Sequence, residues 1–349
     1  MSVVYKKLEE VCEILDSQRV PITAKDRKSG VYPYYGANGL QDHVSDYIFD
    51  DELVLLAEDG GNFGSKDRPI AYRVSGKCWV NNHAHVLKAK SDIHIDYLCY
   101  ALMFYNTDGL VNGATRQKLT QAAMRQMVIP YRCMKEQEQI VDEISRVFHL
   151  IAVRNEELDL LEQLVKSRFI ELFGDVIHNS KAWQMRLFAD IASSRLGKML
   201  DAKQQTGKCS YPYLANFNVQ WFRFNIENLN QMDFDEDDRA EFELKDGDLL
   251  VCEGGEIGRC AVWHNEIQPC FFQKALHRVR CNRQIIQPDY LAWWFKYNCD
   301  HDGFAAIAGA KATIAHLPGV KLKQLQVAVP PIELQQQFAA FVEQTDKSK

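Results

Sequence analysis

No apolar run in this 349-residue chain approaches the roughly 20 residues that a helix needs to cross a bilayer. The opening stretch, MSVVYKKLEEVCEIL, is charged early and lacks the apolar centre of a signal peptide. The ten cysteines include no CxxC pair. Reduced thiols in a cytoplasmic protein fit that scatter better than a secreted disulfide framework. A zinc site among Cys252, Cys260, Cys270 and Cys281 would have spacings foreign to a zinc ribbon. The glycine-rich stretches are not followed by GK[ST], which excludes a P-loop. Basic excess is missing too: 41 Lys and Arg face 47 Asp and Glu, a net charge of −6. A total of that sign does not announce a nucleic-acid binder, although local patches decide such binding more than totals do. Hydrophobic content of 46% and charged content of 25% are those of an ordinary globular protein, and the length suffices for two cores.

What the chain does contain is itself, twice. LVLLAEDGGNFG (Leu53 to Gly64) returns as LLVCEGGEIG (Leu249 to Gly258). Each copy is an apolar run, an acid, Gly-Gly, two residues and Gly. The match extends outward in both directions. VYPYYGANGL precedes the first copy and SYPYLANFNV the second. Strand-like PIAYRV and VNNHAHVLKA correspond to CAVWH and KALHRVRC. Short amphipathic helices follow, HIDYLCYALMFY and QPDYLAWWFKYN, and then NGATRQKLTQAAMRQMVIPY and AGAKATIAHLPGVKLKQLQVAVPP. Last come KEQEQIVDEI and IELQQQFAAFV, helix starts just past a proline. A period this long means a duplicated domain rather than a solenoid. Leu53–Ala57 and Leu249–Cys252 are expected to be buried strands, with the glycines turning the chain after them. Glu58, Asp59 and Glu253 are expected to satisfy backbone groups in those turns.

From Met134 to Phe173 there is neither proline nor glycine. Ile140, Ile144, Val147, Ile151, Arg154, Leu158, Leu161, Val165, Arg168 and Leu172 fall at steps alternating four and three, the pattern of a coiled-coil seam. Forty residues at 1.5 Å each give a helix of roughly 60 Å, and Gly174 stands where it would stop. The natural partner for the seam is the helix that starts near Pro331. That second helix has little room before Lys349, so the exposed seam would also take a second copy of the chain.

These stretches together resemble the DNA-specificity subunits of type I restriction-modification systems. The resemblance rests on YPYYGANGLQDHVSDYIFDDELVLLAEDGGNFG, WVNNHAHVLKA, VNGATRQKLT, and IPYRCMKEQEQIVDEI leading to VKSRFIELFGD. It implies an α+β fold of two target-recognition domains (1–133 and 175–331). A central spacer helix (134–174) and a shortened distal helix (332–349) would form an antiparallel coiled coil. It also implies a non-catalytic subunit that reads a bipartite double-stranded DNA site. Two methyltransferase subunits and the restriction and translocase subunits would be its partners. S-adenosylmethionine, ATP and magnesium would be held by those partners and none by this chain.

DNA contacts require Lys and Arg for phosphates, and Arg, Asn, Gln and small polar side chains for base edges. In the first domain the candidates are Asn38, Gln41, Lys66, Arg68, Thr115, Arg116 and Lys118. In the second they are Asn216, Asn218, Arg259, Lys274, Lys311 and Thr313. Ile140, Ile144, Val147, Ile151, Leu158, Leu161, Val165 and Leu172 are the candidate helix interface. Tyr34, Tyr35 and Tyr213 are expected in the core. His83 and His85, two apart, should share a strand face; with His277 they could suggest a metal, but packing or hydrogen bonding explains them better. The acidic stretch Asp233 to Asp248 is expected to be a solvated loop that avoids phosphate or faces a basic partner. Two other classes compete with DNA reading. A self-sufficient nuclease or methyltransferase lacks its motifs here, and a protein-binding coiled-coil adaptor would give no shift of random DNA.

Overall fold

The computed structural model describes residues 4–113, 116–201, 205–305 and 316–348. The chain divides into two compact units, Met1–Arg154 and Asn155–Lys349.

Unit 1 opens with β1 (Val4–Lys7), α1 (Leu8–Val11) and β2 (Cys12–Ile14), followed by β3 (Ser29–Gly36), β4 (Gly39–Val44), β5 (Phe49–Ala57), β6 (Ala71–Val80) and β7 (Ala84–Ala89). Then come α2 (Ile95–Met103), β8 (Val111–Asn112), β9 (Lys118–Leu119), α3 (Gln121–Gln126), β10 (Val128–Tyr131) and the first half of the long helix α4 (Met134–Phe173), whose second half belongs to unit 2. Six strands form one sheet in the order β2-β7-β5-β6-β3-β4. The run LVLLA places β5 inside that sheet with both faces covered. Val54 and Leu56 enter one core cluster with Leu87, Leu98 and Met124. Leu53 and Leu55 enter another with Val74, Cys78 and Val86. A strand buried on both faces reads as a continuous apolar run instead of an alternation.

Unit 2 repeats the scheme with β11 (Gln184–Leu187), α5 (Phe188–Ile191), β12 (Ala192–Leu196), β13 (Ser210–Leu214), β14 (Val219–Gln220), β15 (Arg223–Phe224) and β16 (Asn230–Asp233). It continues through α6 (Glu236–Phe242), β17 (Leu249–Cys252), β18 (Cys260–Val262), β19 (Phe271–Phe272), β20 (Leu276–Cys281), α7 (Pro288–Asp300), α8 (Gly319–Lys323), β21 (Gln326–Val329) and α9 (Ile332–Asp346). The order β12-β20-β17-β18 reproduces β2-β7-β5-β6. The ten-residue β6 is split here into β18 and β19. The parallel pairing of Tyr34 with Trp79 nonetheless reappears as Tyr213 with Phe271.

Individual hydrogen bonds repeat as well. The Leu8 amide donates to the Met127 carbonyl at 2.8 Å, and that of Phe188 to Leu325 at 2.8 Å. The Tyr97 hydroxyl donates to Pro130 at 2.9 Å, and that of Tyr290 to Ala328 at 2.6 Å. Buried Gln137 donates to the Asp92 and Arg132 carbonyls and accepts from the His94 amide. Buried Gln335 does the same with Ile285, Pro330 and Gln287. Both glutamines sit in the first turn of a helix that follows a repeat, and each satisfies backbone groups that the fold would otherwise bury unpaired.

Several expectations need correction. The buried positions of α4 coincide with the four-three seam only in part. Its buried positions are Gln137 and Val141 near the start and Val165, Phe169 and Phe173 near the end. Phe338 of α9 packs edge-on against Phe169 and Phe173, at 5.4 Å in each case. Of the seam residues Val165 is buried, Leu172 packs at the edge of that core, and Ile140, Ile144, Leu158 and Leu161 are half-buried. Val147 and Ile151 are exposed. Aromatic anchors at steps of four from Val165 outweigh the aliphatic heptad because they bury more area. The acidic stretch is not a loop throughout. Glu236–Phe242 is helical, capped by Asp235, whose carboxylate accepts from the Asp238 amide at 2.8 Å. Acids in a first turn suit the helix dipole. Gly174 does end α4, at φ +70°. Tyr34 and Tyr213 are buried, and Tyr35 half-buried.

Candidate nucleic-acid interface

In unit 1 the buried end of β5 delivers Glu58 and Asp59 to the surface. The turn is held by the amide of Glu58 on the His83 carbonyl and the amide of Leu119 on the Glu58 carbonyl, at 2.9 and 2.7 Å. Gly60 takes φ +62°, where a side chain would be strained. Three candidate residues converge on this turn. Asn38 donates to the Gly60 carbonyl at 2.9 Å. Arg116 pairs with Asp59 at 2.9 Å, and Lys118 with Glu58 at 3.1 Å. The Arg116 side chain remains 61% exposed and that of Lys118 50%. Both cations are therefore placed by carboxylates yet open to solvent, as groups that meet phosphate must be. Gln41 lies nearby on β4 and accepts from Asn81 at 3.0 Å. Lys66 and Arg68 are exposed in the loop after Gly64, and their side chains have no polar partner among the described residues. Thr115 lies outside the described residues.

Glu58 and Asp59 thus hold side-chain cations, not the backbone of the turn as expected. Asp59 also meets His83 Nδ1 at 2.6 Å. The two histidines part company: β7 begins at Ala84, so His83 lies on the turn and half-exposed, while His85 is fully buried. Asp16, which sequence reasoning did not select, is the partner of His85. The pair meets at 2.6 Å, and His85 Nε2 faces the Leu119 carbonyl at 2.9 Å. Burial pushes the Asp16 carboxyl up. The hydrogen bond and charge of His85, with bonds from the Val86 amide and Gln121, outweigh it and hold the group below the ordinary carboxylate range. The spacing DSQR, an acid three residues before an arginine, was the only signal in the sequence.

Asp16, Glu58 and His85 bring ligand atoms within 4.8 Å of one another, as a metal site would. Their charge is already answered. Arg19 bridges Asp16 and Glu58 at 3.4 and 2.7 Å, and Lys118 adds a second cation. A divalent ion would have to displace both, so the trio is better described as a buried ion network.

Unit 2 builds the same turn with different chemistry. Leu317 donates to the Glu253 carbonyl at 2.7 Å, as Leu119 does to Glu58. Gly258, at φ +79°, packs where a Cβ would meet Cys299, Phe304 and Phe295. Arg259 is pinned: it pairs with Glu256 at 3.0 Å and donates to the Asn216 carbonyl at 3.0 Å. Asn216 lies beside Gly255, with its amide nitrogen 3.6 Å from where a Cβ would stand. Asn218 is buried; its oxygen accepts from Ala215 and its nitrogen donates to Asn225. Those bonds close the 216–218 turn, and at 3% exposure the side chain faces the fold instead of a base edge. Lys274 is exposed, 3.5 Å from the Met199 sulfur. Lys311 and Thr313 lie outside the described residues. Cys252, Cys260, Cys270 and Cys281 are free thiols. Burial pushes Cys270 and Cys281 up to about 12 and raises Cys252 and Cys260, the reverse of what thiolate metal ligands need. Among the described residues no helix is long and apolar enough to cross a membrane.

Residues 2–163 and 180–349 match a family model described as the type I restriction modification DNA specificity domain. A putative type I restriction enzyme specificity subunit of Haemophilus influenzae is 26% identical over 346 residues, which is 97% of this chain and 86% of that one. A putative type I restriction enzyme specificity subunit of Methanocaldococcus jannaschii is 26% identical over 168 residues, 47% of this chain and 39% of that one. The fold is similar to the crystal structure of a type I restriction-modification S subunit from M. genitalium. That similarity has a TM-score of 0.62 at 12% identity and covers 100% of this chain and 90% of the other. A chain from a structural study of type I complex assembly and conformational transition gives 0.55 at 14% identity, covering 100% and 92%.

Proposed function

The chain belongs to the type I restriction-modification DNA specificity family, and from that premise we propose how it reads DNA. It is a sequence-specific DNA-recognition subunit. Each repeat reads one half of a bipartite duplex site with the loops around its glycine turn. The observation that carries this reading is the cluster of Asn38, Arg116 and Lys118 around Gly60, together with the return of the same turn at Gly254 and Gly255. In unit 1 Arg116 is the reading or phosphate-gripping cation, held in place by Asp59. In unit 2 Asn216 and Lys274 serve, with Arg259 shaping the loop from within. The domain limits 1–133 and 175–331 bound the two reading modules, and the helix 134–174 with the start of the distal helix at 332–349 sets the spacing of the half-sites.

The methyl-transfer and cleavage steps belong to partner subunits that dock on this chain, which contributes no catalytic residue. The exposed stretch of α4 around Val147, Leu150, Ile151, Leu160 and Leu164 is the surface we assign to those partners. A cytoplasmic location follows from the substrate. The test is selection from a randomised duplex pool by the purified chain. Two short enriched blocks at a fixed separation are expected. A single contiguous block, or no enrichment over bulk DNA, would overturn the proposal.

A further inference from the structure

The two repeats differ at one buried position in a way that opens a site. His277 is 1% exposed. Its Nε2 faces the Leu317 carbonyl at 2.9 Å and so carries the hydrogen. Nδ1 is then an acceptor, and it has no hydrogen-bond partner among the described residues. In unit 1 the equivalent Nδ1 of His85 is held by Asp16, and Asp16 is held by Gln121 at 3.0 Å. In unit 2 neither partner is present. The strand register places Leu196 opposite His277. Ile14 pairs with Leu87, two residues past His85, so the same register brings Asp16 to that place in unit 1. The helix that starts with Gln121 in unit 1 starts with Gly319 in unit 2. A Cβ on Gly319 would stand 3.5 Å from the His277 ring.

Without those two side chains unit 2 has a cavity of about 670 Å³ beside the ring, whose lining includes Leu196, Met199, His277, Val320 and Lys323, and also the ion pairs Arg195–Glu241 and Lys198–Asp238, in which each carboxylate is matched by its own cation. Small-molecule sites are commonly about 300–1,000 Å³. Lys198 is already paired with Asp238. Lys323 forms no ion pair among the described residues. Leu196, Met199 and Val320 are exposed apolar side chains on the same wall.

We propose that this cavity binds a small organic carboxylate that takes the place Asp16 holds in unit 1. Its carboxylate sits on Nδ1 of His277 and toward the ammonium of Lys323, and its carbon chain lies against Leu196, Met199 and Val320. One proton accompanies binding to Nδ1, so that both ring nitrogens of His277 donate, one to the ligand carboxylate and one to Leu317. The site stands independently of DNA reading.

The test is a titration of the full chain, labelled with ¹⁵N-histidine, with sodium butanoate. The expected result is a saturable change confined to the His277 ring, with Nδ1 moving from the unprotonated to the protonated position. The double substitution Leu196→Asp with Gly319→Gln rebuilds the unit 1 arrangement and should abolish that change. Lys323→Gln should leave the unfolding midpoint unchanged and weaken binding about tenfold, the size of one lost bond to a charged group. A shift that only grows linearly, as with sodium chloride at equal ionic strength, overturns the proposal. So does saturable binding that survives Lys323→Gln at full strength. Should the double variant not fold, Lys323→Gln decides alone.

Discussion

The carboxylate of Asp16 and Nδ1 of His85 meet at 2.6 Å inside unit 1, both closed to solvent. Asp16→Leu places there the residue type that unit 2 carries at Leu196, so the backbone position tolerates it. It leaves His85 Nδ1 without the carboxylate it meets at 2.6 Å, and Arg19 with Glu58 alone. Breaking a buried pair from one side costs about 3–5 kcal/mol, and a loss of that order is expected. Denaturant-dependent hydrogen exchange of the β5 and β7 amides measures it within unit 1 alone. A loss below about 1 kcal/mol, the scale of an exposed pair, would show the network to be dispensable.

Arg116 and Asn218 were both candidates for DNA contact, and they should now separate. Arg116→Ala removes an exposed cation held by Asp59. It should weaken DNA binding by about 1–3 kcal/mol if a base is read, or shrink the salt slope by about one if a phosphate is gripped. Stability should hardly change. Asn218→Ala breaks the 216–218 turn and should destabilise unit 2 by about 1–3 kcal/mol through two unsatisfied backbone groups. Salt-dependent binding isotherms and unfolding curves of both variants decide. Equal effects on binding and none on stability would contradict the assignment.

The repeat was legible because burial on both faces leaves a run of apolar letters, as in LVLLA and LLVC, and because a turn after such a strand needs glycine. The limits of α4 were legible for the same kind of reason, since proline and glycine punctuate backbone geometry. What the letters hid is long-range pairing. Asp16 and His85 lie 69 residues apart in the chain, and no local pattern marks the pair. Asn218 looked like a loop asparagine, yet an asparagine that closes a tight turn has the same neighbours as one that faces solvent. The aliphatic spacing on α4 did not mark Phe169 and Phe173, whose rings pack against Phe338.

Buried His277 gives unit 2 a response to acid. Burial lowers the pKa of His277 below its ordinary 6.5. The unfolded chain then binds the proton more readily than the folded one, so stability rises with pH across the window below 6.5 and is complete above it. Unit 2 should therefore lose stability as pH falls from about 7 toward about 5. His277→Gln, which can still donate toward Leu317, should remove that slope. Unfolding free energies over this range, followed by hydrogen exchange in β17 and β20, check it. The same slope in wild type and variant would assign the effect elsewhere.

If α4 is a ruler, four residues inserted in its exposed middle lengthen it by about 6 Å at 1.5 Å per residue. B-DNA rises about 3.4 Å per base pair, so the half-sites should move apart by one or two base pairs with their sequences unchanged. The insertion also shifts helix phase, and some affinity should be lost. Duplex selection with the variant measures the separation. An unchanged spacer at full affinity would mean that the helix serves only to dock partners.

The central claim is that two repeats read two half-sites. It is tested most directly by long-read methylome sequencing of the host in three states: intact, without this gene, and carrying Arg116→Ala. The expected result is one bipartite methylated motif that disappears with the gene and becomes degenerate in one half only in the variant. A lost motif that is contiguous, a variant in which both halves relax together, or a methylome that does not change without the gene would contradict it.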